Sequence, residues 1–372
     1  MPMLFSDITK WTIARVARRA TLVVAFLFVC TLQNIEARKI GKVRRAVREL
    51  SKVDTNYIEP QHYNFTVMMQ TTYTYDKYSV TSANGQEFTM APDVSAKIGP
   101  YFGWRWFFLG YTFDLKHLSP FNKSKKQEVE FSIYSSKIGV DLFYRRTGSD
   151  YKIRDVFLGE NIDGTPLQNV PFDGINVGIT GANIYYIFNH RKFSYPAAFA
   201  QSTCQKRSCG SWMVGLGFLN NSISIDHEKL QNVVNSTLKK EVPIDSGLMI
   251  NNLKYYDINA TIGYGYNWVF AKNWLLSASA SAAIAYKHSQ GETEKSQSFS
   301  GLNFNFNDIN LDGIFRLGVV YNNTKWYAGM SGIMHSYHYR KPQFETNNTF
   351  GNVNLYVGYN FGLKKSYRNK HK

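Results

Sequence analysis

Apolar and polar residues alternate with a period of two along most of the chain from Tyr57 onward. Successive side chains of a β-strand point to opposite faces, so each run predicts a strand with one apolar and one polar face. The first run, residues 63–75, exceeds the roughly five or six residues of strands in soluble domains and suits a tilted membrane-crossing strand. Its apolar face carries Tyr63, Phe65, Val67, Met69, Thr71, Tyr73 and Tyr75.

Later runs repeat this pattern. In the run 274–286, aromatic residues at both ends bracket small and aliphatic residues, an arrangement typical of aromatic girdles around a hydrocarbon band. The predicted apolar faces are Phe88, Met90, Val94, Ala96 and Ile98; Tyr256, Ile258, Ala260, Ile262, Tyr264, Tyr266 and Trp268; Trp274, Leu276, Ala278, Ala280, Ala282, Ile284 and Tyr286; and Val353, Leu355, Val357, Tyr359 and Phe361.

The links between runs are of two lengths. Short turns are expected at 99–103, 146–150, 270–273 and 322–325, and long loops at 76–86, 117–127, 159–173, 226–253, 287–300 and 341–348. Turns on one side and long loops on the other are typical of outer-membrane barrels. No helical periodicity follows residue 57, so alternating strand–helix folds are excluded. We therefore predict an all-β fold, an antiparallel up-and-down transmembrane β-barrel of about twelve strands, with ten or fourteen as alternatives.

The N-terminal residues 1–37 predict a signal peptide. Lys10, Arg15, Arg18 and Arg19 precede an apolar stretch at 20–32, which is too short to span a bilayer as a helix. A short membrane anchor or a buried helix is the alternative. The rest of the chain divides into a basic amphipathic leader at 38–56, the barrel at 57–363 and a basic tail at 364–372.

The leader carries seven Lys or Arg residues and one acid between positions 38 and 52. Apolar residues recur there at spacings of three and four, which predicts a short basic amphipathic helix preceding the barrel. Such a helix would lie on the acidic inner surface of a membrane. A solvated leader of weak helicity is an equal alternative.

Composition and charge refine this interpretation. The chain has 372 residues, a net charge of +16 and 16% aromatic residues. Its positive charge lies at the two ends and in loops such as 122–126, not on a recognition helix, so we expect no nucleic-acid partner. We expect location in the bacterial cell outer membrane, with its lipids and lipopolysaccharide as partners. A small-solute cargo and the oligomeric state are left open.

Catalytic and metal-binding motifs are sparse. Residues 308–313 spell DxNxDG, the start of a calcium loop, but Val319 replaces the bidentate Glu at the twelfth position. We interpret this stretch as a polar row facing the lumen. His335 and His338 are three apart on a predicted strand and therefore lie on opposite faces. The sequence predicts no catalytic residue, no metal ligand and no cofactor.

The stretch 189–212 is polar and basic beyond what a barrel strand needs. One interpretation is an inward-folded constriction of a pore, and the other is a stapled periplasmic turn. A serine nucleophile at Ser194, Ser208 or Ser211 with His190 is a weaker hypothesis, since no orienting acid is assigned. The candidate constriction residues are Arg191, Lys192, Tyr195, Gln201, Lys206 and Arg207.

Cys204 and Cys209 lie close together in the segment CQKRSC. In an oxidising compartment this spacing predicts a small-loop disulfide, and two free residues are the alternative.

Three segments carry a resemblance to a known family. They are YIEP at 57–60, GPYFGWRWFFLGYTFDL at 99–115 and KFSYPAAFAQSTCQKRSCGS at 192–211. On these segments the chain resembles an uncharacterised family of Bacteroidetes outer-membrane β-barrel proteins, a domain-of-unknown-function family. The resemblance implies an exported barrel-like domain with no assigned activity and supplies no catalytic residues.

The sequence therefore favours an outer-membrane β-barrel protein that acts as a narrow channel or as a structural membrane protein. An outer-membrane enzyme acting on lipid or glycan is one alternative. A soluble periplasmic ligand-binding barrel, with its aromatic residues turned inward, is another.

Overall fold

A computed structural model describes residues 52–104, 107–110, 113–114, 127–146, 150–248, 253–290, 309–341 and 343–368. The predicted signal peptide, residues 38–51 of the basic leader and the last residues of the tail lie outside this described part. So does most of the predicted loop at 117–127. Among the described residues, no helix is long and apolar enough to cross a membrane.

The described chain is mostly extended. Its strands are β1 (Ile58–Pro60), β2 (Tyr63–Ser82), β3 (Glu87–Pro92), β4 (Ser95–Trp104), β5 (Phe107–Gly110), β6 (Phe113–Asp114), β7 (Gln127–Tyr134), β8 (Ile138–Arg146), β9 (Tyr151–Phe157), β10 (Ile175–Ile187), β11 (Thr203–Gln205), β12 (Cys209–Ile225), β13 (Leu253–Ala271), β14 (Trp274–Gln290), β15 (Ile309–Asn322), β16 (Trp326–Arg340) and β17 (Phe344–Leu363). The α-helices are α1 (Tyr195–Phe199), α2 (His227–Leu238) and α3 (Lys365–Arg368), with 3-10 turns at Thr165–Leu167 and Ser246–Leu248.

Most strands form one antiparallel sheet, whose main path has the order β5-β4-β2-β17-β16-β15-β14-β13-β12-β10-β8-β7. Strands β3, β6 and β9 pair beside this path, and β1 and β11 form a separate two-stranded sheet. This path contains twelve strands, as predicted, and the first long strand β2 pairs with the last, β17. Within the described residues no pairing joins β5 to β7, which are the two edges of the path. The described sheet therefore has the up-and-down strand order of a barrel that is open between the two edge strands β5 and β7.

The outward faces confirm the predicted alternation. On β13 and β14 the predicted apolar residues are mostly exposed, with Ile258 at 63% and Ile284 at 62%. The polar residues between them are buried, as in the case of Asp257 and Lys287 at 0%. Apolar side chains outside and charged side chains inside reverse the arrangement of a soluble domain, and match a strand between lipid and a polar lumen.

One predicted face, one predicted turn and two predicted long loops are wrong. Strand β2 continues to Ser82 and β17 begins at Phe344, so the links predicted at 76–86 and 341–348 are short. Phe88 and Met90 are each 1% exposed in β3, whereas Val94 is 50% exposed, because the strand breaks after Pro92. The predicted turn at 99–103 lies inside β4, which stays extended and pairs with β2 along its whole length.

The expectation of no helix after residue 57 is also wrong. Asp226 caps α2 by accepting a hydrogen bond from the Lys229 amide at 3.0 Å, and Glu228 lies in the first turn. Leu230 and Val234 are four residues apart on the buried face of α2. Both capping signals are present in the sequence, within the loop predicted at 226–253.

An aromatic belt surrounds one end of the sheet. We call this the turn end, because short turns at 272–273 and 323–325 connect its strands, and we call the opposite end the loop end. Ring contacts at 4.5–6.3 Å link the belt residues into runs across neighbouring strands. The linked residues are Trp268, Phe270, Trp274 and Tyr321, and separately Trp326, Tyr359, Phe361 and Phe65.

The loop half of the interior holds the main apolar core. Strand residues such as Tyr78 and Phe350 pack there with Leu167 from a 3-10 turn and with Leu230 from α2. Burial of these apolar side chains favours the folded state by removing them from water. The loops thus fold back over the barrel interior and fill this half.

Candidate functional site

Residues 193–205, here called the plug, fold inward at the turn end. Phe193 and Tyr195 are 0% exposed, and Ala197 and Ala198 are buried beside them in α1. Ser194 caps α1 through a hydrogen bond from the Ala197 amide at 3.2 Å. The plug packs on the inner faces of β10, β12, β14, β15, β16 and β17, through Tyr185, Ile187, Met213, Leu275, Val320, Tyr327 and Tyr356.

Polar contacts attach the plug to the barrel wall. The hydroxyl of Tyr195 makes a hydrogen bond of 2.8 Å with the Ser279 hydroxyl and accepts one of 3.3 Å from Arg316 Nη1. Gln201 Nε2 donates to the Tyr356 hydroxyl at 2.7 Å. These contacts reach strands β14, β15 and β17, so the plug is held from several sides of the lumen.

Gln205 joins the plug to its surroundings through both ends of its amide. Its Oε1 accepts from the Ser194 amide at 2.9 Å and from Asn267 Nδ2 at 3.1 Å. Its Nε2 donates to the carbonyl oxygens of Lys192 at 2.6 Å and Arg207 at 2.9 Å. Since Gln205 is 6% exposed, these bonds satisfy groups that water could not reach.

Residues 54–60, here called the strap, cross the outer side of the plug. Strand β1 of the strap pairs with β11 of the plug, and Ile58 is 0% exposed. The Asp54 amide donates to the Arg191 carbonyl at 2.8 Å, and the Lys206 amide donates to the Tyr57 carbonyl at 2.7 Å. The segment YIEP is therefore the part of the chain that covers the plug from the turn end.

The six candidate constriction residues divide into two groups. Tyr195 and Gln201 lie inside the lumen, whereas Arg191, Lys192, Lys206 and Arg207 are exposed on the outer side of the plug. The four cations are therefore not buried with Tyr195 and Gln201, and a pore constriction formed by the six residues stays a prediction.

Three of the exposed cations contact the strap through Glu59 and Tyr57, and one of them is Lys192, whose Nζ lies 5.1 Å from the Tyr57 ring centroid. Lys206 Nζ lies 3.3 Å from Glu59 Oε2, and the Arg207 guanidinium lies 5.7 Å from the Tyr57 ring centroid. Burial raises the pKa of Glu59, but hydrogen bonds from His62 and Lys206 outweigh it and hold the pKa below its ordinary value. These cations therefore stabilise the strap in its position over the plug.

Cys204 and Cys209 are free thiols in the structure, in place of the predicted disulfide. Cys204 lies opposite Glu59 in the β1–β11 ladder, whereas Cys209 lies opposite Asn267 in the β12–β13 ladder. The two cysteines thus belong to different strand pairs. Burial raises the pKa of the Cys204 thiol to about 12.

Above the plug, charged side chains cross the lumen. Arg316 Nη2 donates to Asp141 Oδ2 at 2.6 Å, with both side chains nearly buried. Asp141 Oδ1 also accepts from Ser132 Oγ at 2.8 Å and from Tyr134 at 3.1 Å. A buried ion pair persists where such hydrogen bonds satisfy its remaining atoms.

A second charged group lies nearer the loop end. Lys287 Nζ lies 2.9 Å from Asp312 Oδ1 and 3.4 Å from Asp257 Oδ2, and all three side chains are 0% exposed. Nζ also donates to the His338 carbonyl. Asp312 belongs to the DxNxDG stretch, and in the structure its carboxylate forms an ion pair with Lys287. Asp308, the first acid of that stretch, lies outside the described residues. No cluster of three or more potential metal ligands occurs in the described part of the chain.

Between the plug and the charged side chains there is a cavity of about 20 Å³. This volume holds roughly one water molecule. Its lining residues are Asn183, Tyr185, Met213, Thr261, Ser281, Ile314 and Arg316.

The candidate serines make structural hydrogen bonds. Ser194 Oγ contacts Thr203 Oγ1 at 2.7 Å, and Ser208 Oγ accepts from the Val269 amide at 2.9 Å. Ser211 Oγ donates to the Trp212 carbonyl at 2.8 Å, whereas His190 Nδ1 contacts the Ile187 carbonyl at 3.2 Å.

Sequence reasoning missed the lumen charges and Gln205. The sequence does contain a signal for the charges. Asp257 and Lys287 occupy polar positions in alternating runs, and the apolar positions of those runs face outward. No pattern identifies Gln205, because its partners come from the strap, from the wall and from its own loop.

An antiparallel up-and-down sheet with an apolar outer face, an aromatic belt and a polar interior defines the chain as an outer-membrane β-barrel protein. The chain belongs to the family DUF4421, a domain of unknown function, which matches residues 52–361. The predicted family resemblance is thereby confirmed, and a Bacteroidetes origin stays a prediction. No protein of curated function matches the chain.

Several solved structures are similar in fold at low sequence identity. The outer membrane protease OmpT from Escherichia coli is 8% identical, over 83% of this chain and 100% of that one, with a TM-score of 0.33. An outer membrane channel from Pseudomonas putida F1 is 9% identical, over 83% and 100%, with a TM-score of 0.27. The outer membrane protein OprG from Pseudomonas aeruginosa is 9% identical, over 82% and 98%, with a TM-score of 0.23.

Proposed function

We propose that the chain is a structural protein of the outer membrane whose barrel is closed to solutes. The observation that carries the proposal is an interior filled from both ends. The plug with Tyr195 occupies the turn half, and the apolar core around Phe350 occupies the loop half. The cavity between them, lined by residues such as Asn183 and Arg316, holds roughly one water molecule.

The size of the barrel explains why both the plug and the apolar core are needed to fill its interior. In barrels of about eight strands the inward side chains alone fill the interior, and the width grows with strand number. The twelve-strand path described here leaves more space, which α1 and α2 occupy. A protein selected for permeation has no need of an apolar core across its lumen.

A narrow channel is the second candidate, and the plug itself favours it. The plug is a separate segment, and its removal would expose a wall with Asn267, Ser279 and Asn322. Such a wall suits small polar solutes. The channel hypothesis requires the apolar core at the loop end to open as well.

We also propose the location and the partners on physical grounds. The outward aromatic belt supports insertion between lipids, with residues 1–37 as the export signal. The basic loop at 122–126 is proposed to contact lipopolysaccharide phosphates from the loop end.

Planar-bilayer conductance separates the two candidates. The full mature chain is expected to show no unitary current steps, and so is the double variant Tyr195→Ala/Gln205→Ala, because the apolar core still seals the loop half. Tyr266→Ala is the matched control, since this tyrosine is 44% exposed on the lipid face. Faster gel migration without boiling verifies that each protein is folded.

The outcomes are distinct. Current steps from the unaltered chain would contradict a closed structural barrel. Steps from the double variant alone, absent from the Tyr266→Ala control, would instead establish a channel that the plug closes.

A further inference from the structure

Three lysines at the turn end lie without an acidic partner among the described residues. Lys137, Lys272 and Lys325 each lie in a short turn between strands, and among the described residues no carboxylate lies within ion-pair distance of them. The described acids at this end, outside the lumen, are Asp54 and Glu59, and Glu59 already contacts Lys206 and His62. The turn end therefore presents cations that no group in the described chain neutralises.

The loop end differs in this respect. Asp93 lies 2.9 Å from Lys152 Nζ and 2.7 Å from Arg154 Nη2. Glu345 likewise lies 3.2 Å from Arg340 Nε. Several described cations of the loop end are thus paired with acids, whereas the three turn lysines have no such partner among the described residues.

The turn lysines stand beside the aromatic belt. Lys325 Nζ lies 5.8 Å from the ring centroid of Tyr359, and Lys137 Nζ lies 5.6 Å from that of Tyr186. Lys272 lies two residues from Phe270 and two from Trp274, whose rings are 5.9 Å apart. Aromatic belts lie at the level of lipid headgroups, where lysine ammonium groups reach the phosphates.

We propose that Lys137, Lys272 and Lys325 form a binding rim for the phosphates of anionic phospholipids in the periplasmic leaflet. The rim rests on the proposed membrane location but not on whether the barrel conducts. The three ammonium groups lie in separate turns, so they would bind negatively charged headgroups at the membrane surface. They make no contact that is specific to one acyl chain.

The test is lipid retention by the full mature chain in detergent, measured by native mass spectrometry. The probes are phosphatidylglycerol and phosphatidylcholine of equal chain length. The triple variant Lys137→Gln/Lys272→Gln/Lys325→Gln is expected to lower phosphatidylglycerol affinity about tenfold and to leave phosphatidylcholine unchanged. The matched control is Lys239→Gln/Lys240→Gln/Lys254→Gln, which removes equal charge from exposed residues at the loop end.

The control is expected to bind both lipids as the unaltered chain does. Equal retention of the two lipids by the unaltered chain, or equal loss in both triple variants, would overturn the proposal. Displacement of the lipid by inorganic phosphate would assign the site to free phosphate. Lysine-dependent binding of lipid A at the same strength would overturn the assignment to phospholipid.

Discussion

The two halves of the barrel interior are filled by different parts of the chain. In the loop half, side chains from β2, β16, β17 and α2 form one apolar core, and the stacked rings of Tyr255 and Tyr339 are 4.5 Å apart. In the turn half, a separate segment enters the lumen and makes specific hydrogen bonds through Tyr195, Gln201 and Gln205. Apolar packing tolerates small changes, whereas a buried polar contact loses most when one partner is removed. The predictions below exploit this difference.

The largest expected effect is at the charged group beside the loop-half core. Lys287→Met leaves Asp257 and Asp312 buried without their cation, and we expect it to lower the free energy of unfolding by about 4 kcal/mol. Urea unfolding followed by gel migration measures this loss. Adding Asp257→Asn and Asp312→Asn should restore part of the stability, and a triple variant as unstable as Lys287→Met would contradict the ion-pair account.

Tyr195→Ala should weaken the plug almost as much. It removes a side chain that is 0% exposed together with the bonds to Ser279 and Arg316, for an expected loss of about 3 kcal/mol. Tyr195→Phe keeps the ring and should lose about 1 kcal/mol in the same urea titration. The lipid-facing change Tyr266→Ala is the control, and a loss there as large as for Tyr195→Ala would argue against a packed plug.

Gln205→Ala is expected to loosen the plug without affecting the loop half. The loss of its bonds leaves the Ser194 amide and Asn267 Nδ2 buried, at about 2 kcal/mol. Cys204 reports the change, because burial raises its thiol pKa to about 12 and slows maleimide labelling. Labelling is measured in a mature chain that carries Cys209→Ser. Equal labelling rates in the presence and absence of the Gln205→Ala substitution would contradict the role assigned to Gln205.

The smallest effect is a pH dependence at the loop end. Hydrogen bonds from Lys152 and then Arg154 lower the pKa of Asp93 from 3.8 to about 2. Because the folded pKa lies below the unfolded one, this contact stabilises the fold above about pH 4 and is lost as the pH falls from 4 to 2. The protection of β9 against hydrogen exchange, measured relative to the intrinsic exchange rate at each pH, should fall over that range, and Asp93→Asn should abolish the change. A fall that persists in Asp93→Asn would assign it to another group.

The outward half of the fold could be predicted from the sequence, and the reason is the lipid. Along each spanning strand, every second residue is apolar because it must face hydrocarbon, as Ile258, Ile284 and Leu355 do on their strands. This constraint acts along every spanning strand, so it leaves a signal that one sequence is enough to detect.

The interior could be predicted only in part. Phe88 and Met90 follow the same period as an outward face, yet they point into the core, since the strand breaks after Pro92. The inward fold at 189–210 was one of two interpretations, but the contacts of Gln205 depend on segments distant in sequence. Tertiary contacts of this kind impose no period on the chain.

The most direct test of the central claim is membrane fractionation with gel migration of boiled and unboiled samples. The chain is expressed with its own signal in a Gram-negative host. A barrel with an apolar outer face predicts recovery in the outer-membrane fraction and faster migration of the unboiled protein. Recovery in the soluble periplasmic fraction, with no change on boiling, would contradict the outward orientation of residues such as Ile258 and Trp268.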